Sequence, residues 1–188
     1  MKCLISILVT TILFCSDFTN NGAVLTVQNG VTISMDGSFE NNGSVNHSGY
    51  FTISGDLLNP GTFSSDVSST VLLNGSDQSF PALELGNLTI EGDGTKTMQG
   101  NVAVSGSFIF NSGILNLNEN TLTISGDAQN NGGAVIGIGS ILLNGVELYG
   151  CMDEQAENYD PVFIFDSGEC SYEFPGCTDQ TAYNFVDT

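Results

Sequence analysis

The 188-residue chain has no Arg, no Trp and one His, and only Lys2 and Lys96 stand against 21 Asp and Glu, for a net charge of −19. Those absences exclude whole classes of partner. Polyanions are held by Lys and Arg that displace counterions, so nucleic acid is ruled out, and anionic membrane surfaces fall on the same ground. A single His leaves little for His-based catalysis or metal binding. Charged residues make up only 12% of the chain and hydrophobic ones 40%, which is too apolar for a disordered acidic tail. The chain therefore buries a core.

What is present first is an N-terminal apolar run. Leu4 to Phe14 follows Met1-Lys2-Cys3 with one positive charge, the form of a secretory leader, and it is too short to span a bilayer as a helix. Residues 1–16 are read as that leader, and the chain beyond it keeps all 21 acids and one lysine. A lipid anchor at Cys15 is disfavoured by the bulky Phe14 before it.

Residues 20–148 read as short strands of period two separated by Asn/Gly turns, with no stretch regular enough at 3.6 for a helix. Turns recur at Asn20-Asn21-Gly22, Asn41-Asn42-Gly43, Asn59-Pro60-Gly61, Asn111-Ser112-Gly113 and Asn130-Asn131-Gly132. Thr52-Ile53-Ser54-Gly55-Asp56 returns as Thr123-Ile124-Ser125-Gly126-Asp127, and Leu72-Leu73-Asn74-Gly75 as Leu142-Leu143-Asn144-Gly145. Self-similarity at about 20 residues means one chain turn per repeat stacked on the next. The fold class is thus all-β: a right-handed parallel β-helix (β-solenoid) of six or so coils, followed by small disulfide-stapled repeat modules. Expected inward residues are Ile53, Leu72, Ile90, Ile109, Leu115, Ile124 and Leu142. A β-sandwich of hairpins is the competing fold, because Asn-Gly is also the hairpin turn.

The phrases from Gly49 to Asp56, Thr70 to Gln78 and Gly86 to Ile90 resemble the β-helical repeats of large exported surface proteins of Gram-negative bacteria. The resemblance implies an adhesin or surface scaffold.

Composition shifts at Tyr149-Gly150: residues 150–188 carry nine acids, no base, and the three cysteines that lie outside the leader. Gly150-Cys151-Met152-Asp153 with Ala156, Asn158 and Tyr159 restarts as Gly176-Cys177-Thr178-Asp179 with Ala182, Asn184 and Phe185. This gives a module over 150–175 and the start of a second over 176–188. The motif resembles a tandem module of exported proteins that runs Gly-Cys-Thr-Asp, Asn-Tyr-Asp-Pro, then Asp-Asp-Gly-Ser-Cys before Tyr. Ser167 and Glu169 depart from its closing part, and Val186-Asp187 from Asp-Pro in the second copy. The resemblance implies a Cys151 to Cys170 disulfide, which a loop-entropy estimate values at about 3 kcal/mol. It also implies a partner for Cys177 beyond residue 188, so the chain reads as a piece of a longer protein; intermolecular pairing of Cys177 is the rival.

Asp153, Asn158, Asp160, Asp166 and Glu169 place five oxygen donors within 17 residues, a composition suited to Ca²⁺, or simply to solvating a small module. For catalysis, His47 beside a turn is the only candidate base of its type, and Asp56, Asp66, Asp77, Asp93 and Asp127 are carboxylates available for glycoside hydrolysis. Thr26, Thr32, Thr52, Thr89 and Thr123 each stand between apolar residues and face outward by alternation. Stacked, they would make the flat threonine face of an ice-binding solenoid. Asn42, Asn46, Asn74 and Asn87 open glycosylation sequons.

The leading expectation is a non-enzymatic, adhesin-like structural protein, secreted or at the cell surface, with Ca²⁺ as its cofactor and a surface glycan or protein as its partner. The alternatives are a carbohydrate-active β-helix enzyme and an ice-binding solenoid. Nothing in the sequence fixes an oligomeric state.

Overall fold

The computed structural model describes residues 16–173, together with the strand backbones of Leu4–Ser6 and Thr11–Phe14. Among the described residues there is no helix, and short strands wind a parallel β-solenoid of about eight turns. Every strand pairing among them is parallel except that of Ser140–Leu143 with Val146–Glu147. That arrangement excludes the hairpin sandwich.

Each coil contributes one strand to each of three faces. The second face is one continuous ladder of Thr11–Phe14, Thr32–Met35, Tyr50–Ile53, Thr70–Leu73, Asn87–Ile90, Phe108–Phe110 and Ala128–Asn130. The register step varies, from Thr11 opposite Thr32 to Thr70 opposite Asn87, because the corners differ in length while the strands stay aligned. Strands of three or four residues suit this: alternation sends two side chains inward and leaves one or two outside. Two inward columns result, Ile33, Phe51, Val71, Leu88 and Phe108, and beside it Met35, Ile53, Leu73, Ile90 and Phe110.

Four of the expected inward residues, Ile53, Ile90, Leu115 and Ile124, are buried. Leu72, Ile109 and Leu142 are corrected: they occupy the outward middle position of their strands, and Val71 with Leu73, Phe108 with Phe110, and Ile141 take the core. Register decides it. Leu72 lies opposite Thr52 and Thr89, so turning it inward would place both Val71 and Leu73 in water.

The first and third faces are each broken once, at the same level. On the first, Leu4–Ser6, Val24–Val27, Ser44–His47 and Thr62–Ser65 form one ladder; Leu83–Leu85, Val102–Val104, Thr121–Ile124 and Ser140–Leu143 form another. On the third, Phe18–Asn20, Phe39–Asn41 and Leu57–Leu58 end where Gln78–Phe80, Thr95–Met98, Ile114–Asn116 and Ala134–Ile136 begin. The strands on either side of each break adjoin without a hydrogen-bonded ladder. The corner entering Gln78–Phe80 runs from Asn74 to Asp77, one residue longer than the Ser54 to Asp56 corner before it. Side chains bridge the dislocation: Gln78 Nε2 donates to the Ile53 and Gly55 carbonyls, and the Ser79 amide and hydroxyl donate to Asp56 Oδ1.

Several polar groups inside the stack are paired with groups on neighbouring coils. Asn20 Nδ2 donates to Asn41 Oδ1 at 2.8 Å, and Asn41 Nδ2 donates to Asn59 Oδ1 at 2.6 Å and to the Thr62 carbonyl. These asparagines are the turn residues read from the sequence; their side chains form an internal ladder. Lys96 is fully buried and donates from Nζ to the carbonyls of Gly75, Ser76 and Asp93 at 2.6, 3.2 and 2.8 Å. Burial lowers its pKa, against the attraction of Asp77 and Asp93.

The C-terminal end is closed by the chain itself. Asn144 (φ 50°) and Gly145 (φ 83°) make a tight turn that folds Val146–Glu147 back on Ser140–Leu143. Tyr149–Gly150 then pairs in parallel with Phe165–Asp166, and the buried Phe165 ring lies 6.0 Å from that of Phe108. The Cys151 to Cys170 disulfide is present. Leu148 and Phe165 belong to the same core cluster as the coils, so the core continues across residue 150. At the other end, the backbones of Leu4–Ser6 and Thr11–Phe14, within the expected leader, pair with Val24–Val27 and Thr32–Met35. Cys177 and the second module copy lie outside the described residues.

Candidate functional site

The two face breaks make two grooves. On the third face, Asp56, Asp77, Gln78, Ser79, Thr95, Thr97 and Gln99 line a groove of about 480 Å³ with polar residues throughout. On the first face, a groove of about 400 Å³ is lined by Asn59, Phe63, Ala82, Leu83, Glu84, Asn101, Val102, Ala103 and Thr123. Both volumes lie within the range of about 300–1,000 Å³ usual for small-molecule sites.

Of the five candidate catalytic carboxylates, the structure brings two into one groove, Asp56 and Asp77. Asp56 Oδ1 accepts from Ser79, and Asp77 Oδ1 accepts from the Thr95 amide at 2.8 Å. Asp66 caps its own turn, where bonds from the Ser68 amide and hydroxyl lower its pKa. Asp93 and Asp127 enter the described hydrogen bonds through their backbone carbonyls.

His47 is no surface base. It ends the Ser44–His47 strand, 1% exposed, with its ring edge-on to Phe51 (5.1 Å) and Phe63 (5.8 Å). Burial lowers its pKa to about 4; the Gly49 backbone opposes this, but neither ring nitrogen meets hydrogen-bond geometry with any partner. Ser65, opposite His47 in register, also has a buried, unpaired hydroxyl.

The acids of the cysteine module act on their own backbone. Asp153 Oδ1 accepts from the Gln155 amide and Oδ2 from the Tyr172 hydroxyl at 2.7 Å; the Tyr172 bond is the larger cause of its lowered pKa. Asn158 holds the closing segment from both sides, donating to the Glu169 carbonyl and accepting from the Ser171 amide. Asp160 Oδ1 accepts from Val162, and Asp166 Oδ1 from Gly168 and Met152. Glu169 enters through its backbone, its amide donating to Ser167 Oγ. Among the described residues, no three His, Cys, Asp or Glu side chains gather as a metal-holding group.

The threonines do not stack in one column. Thr26 lies opposite Asn46, Thr32 opposite Tyr50, and Thr123 between Ala103 and Leu142 on another face. Thr52 and Thr89 share a face, but Leu72 separates them. The flat threonine face required for ice binding is not formed. Among the sequons, Asn42 and Asn46 are exposed, whereas Asn74 accepts from Ser54 and Asn87 donates to the Val67 and Ser69 carbonyls.

Sequence reasoning missed the first-face groove, since no motif marks it. The signal available was the Asn20, Asn41, Asn59 spacing, which reads as turns and equally as a ladder ending at Asn59. Comparison with known proteins finds no matching family model, no matching curated protein and no matching solved structure.

Proposed function

We propose that the chain is a non-enzymatic, exported, adhesin-like structural protein in which the solenoid is a rigid rod and the cysteine module closes one end. One observation carries this reading: a single apolar core runs the length of the described stack, while Lys96, the only cation outside the expected leader, is buried. Such an object has an acidic outer surface that repels its own copies and polyanions, and its rigidity suits display better than turnover. Several of its aspartates, among them Asp56, Asp66, Asp77, Asp153 and Asp160, accept from corner and loop amides, where Asp is a local structural residue.

The test is expression from Met1 with an internal epitope at the exposed Val67 in a Gram-negative host, followed by protease treatment of intact cells. Loss of the epitope from intact cells, or its recovery in the medium, is expected; an epitope cut only after lysis contradicts the reading.

A second reading, a carbohydrate-active enzyme, is favoured by the groove that holds Asp56 and Asp77 together. Reducing ends released from a polysaccharide panel, and lost in Asp77→Asn, would establish it; no release from any member would remove it.

A further inference from the structure

Unlike the third-face groove, the first-face groove has an apolar floor inside a polar rim that carries one carboxylate, Glu84. Phe63 is half-buried, and its ring is fixed by Phe51 at 5.9 Å and His47 at 5.8 Å. Ala82 and Ala103 are small and exposed beside it, so the floor is open where larger side chains would fill it. Around it stand Asn59, Asn101, Thr123 and Glu84.

The rim has a definite polarity. Asn59 terminates the asparagine ladder: its Oδ1 accepts from Asn41, and among the described residues its Nδ2 has no acceptor. Donation running from Asn20 to Asn41 to Asn59 polarises each amide in turn, so the last N–H group is the strengthened donor of the row. Asn101 is set the same way, with Oδ1 accepting from the Thr121 amide at 2.9 Å and Nδ2 left to donate. Glu84, outward between its strand neighbours, supplies an acceptor.

We propose that this groove is a binding subsite for a neutral pyranose, with one sugar face on Phe63 and Ala103 and the ring hydroxyls between the Asn59 and Asn101 amides and the Glu84 carboxylate. A pyranose joins an apolar face of C–H groups to a rim of hydroxyls that both donate and accept, which is the pattern on the protein side. The groove has no cation to hold an acidic sugar, and Glu84 and the chain's net charge of −19 repel one. Glu84 is also the only carboxylate lining the groove, so this is a site for binding and not for two-carboxylate hydrolysis. The proposal rests on the surface-rod reading only in placing the sugar outside the cell; binding itself is a property of the groove.

The test is a titration of the ¹⁵N-labelled chain with the methyl glycosides of glucose, galactose, mannose and N-acetylglucosamine, followed by amide chemical shifts, with spermidine as a cationic control. For at least one glycoside we expect saturable shifts centred on Asn59, Phe63, Glu84, Asn101, Ala103 and Thr123, with a Kd of order 1 mM. Ala103→Trp fills the groove from the outside without touching the core and abolishes them; Glu84→Ala weakens binding about tenfold, about 1.4 kcal/mol. Both variants keep the parent spectrum elsewhere. No response to any glycoside, shifts that persist in Ala103→Trp, or a response at these residues to spermidine alone would overturn the proposal. None of these results bears on whether the chain reaches the surface, which the protease experiment decides separately.

Discussion

At the residue scale, the group whose place departs most from its reading is His47, which the sequence offers as the only candidate base of its type, beside a turn. It is instead a neutral aromatic member of the core, held edge-on between Phe51 and Phe63. Its pKa of about 4 in the fold against 6.5 unfolded means that the unfolded chain takes up a proton first as pH falls. The sign follows: stability is full above about pH 6.5 and declines toward pH 4. At about pH 4.5 the loss from this residue comes to about 2–3 kcal/mol. Denaturant midpoints at pH 7 and 4.5 measure it, and the His47→Leu variant shows a smaller drop between the two; equal drops in both chains would show that the carboxylates alone cause the acid sensitivity.

At the scale of the strand, the limit of sequence reading is visible in particular places. The period near 20 residues, the absence of helix among the described residues and the parallel stacking were legible because corners rich in Asn and Gly recur between runs of period two. The parity of Val71-Leu72-Leu73, Phe108-Ile109-Phe110 and Ile141-Leu142-Leu143 was not, because an all-apolar run satisfies either face. Only the neighbour above and below decides, and that depends on register. Leu72→Thr, which extends the outward row of Thr52 and Thr89, is therefore expected to change stability by no more than about 0.5 kcal/mol. Leu73→Ala, on the inward column with Ile53 and Ile90, is expected to cost about 2–5 kcal/mol. Thermal unfolding of the pair measures both, and equal losses would return Leu72 to the core.

The grooves were illegible for a related reason. They arise at one coil whose corners all change: Asn74 to Asp77 is one residue longer than the corner before it, while those on either side of Leu83–Leu85 shorten to Pro81-Ala82 and to Gly86 alone, and the second face runs through. A sequence shows the changed corners but not which faces absorb them. In the cysteine module, the resemblance supplied the Cys151 to Cys170 pairing, and the acids that suggested Ca²⁺ are spent largely on backbone amides of the loop.

For the whole molecule, the module and the rod are one packed unit at their junction. Phe165, from the run Phe163-Ile164-Phe165, enters the end of the solenoid core beside Phe108, and the amides of Ile164 and Phe165 both donate to the Leu148 carbonyl. Phe165→Ala is expected to cost about 3–5 kcal/mol and, because it uncaps the last coil, to loosen amide protection in Ile114–Asn116 and Ala134–Ile136 as well as in the module. Hydrogen exchange reads this out; loss of protection confined to residues 150–173 would show instead that the module is an independent bead.

The functional reading depends throughout on coils stacked in parallel one turn apart. The most direct measurement pairs cysteines on the outward row of the second face. Thr52→Cys with Leu72→Cys joins residues directly opposite each other on neighbouring strands, whereas Thr52→Cys with Thr89→Cys joins strands two steps apart, about 9.6 Å at strand spacing. Mild oxidation of the folded chain, read by mass after proteolysis, is predicted to link the first pair and leave the second as free thiols. A link between residues 52 and 89 with none between 52 and 72 would contradict the parallel stack, and with it the rod.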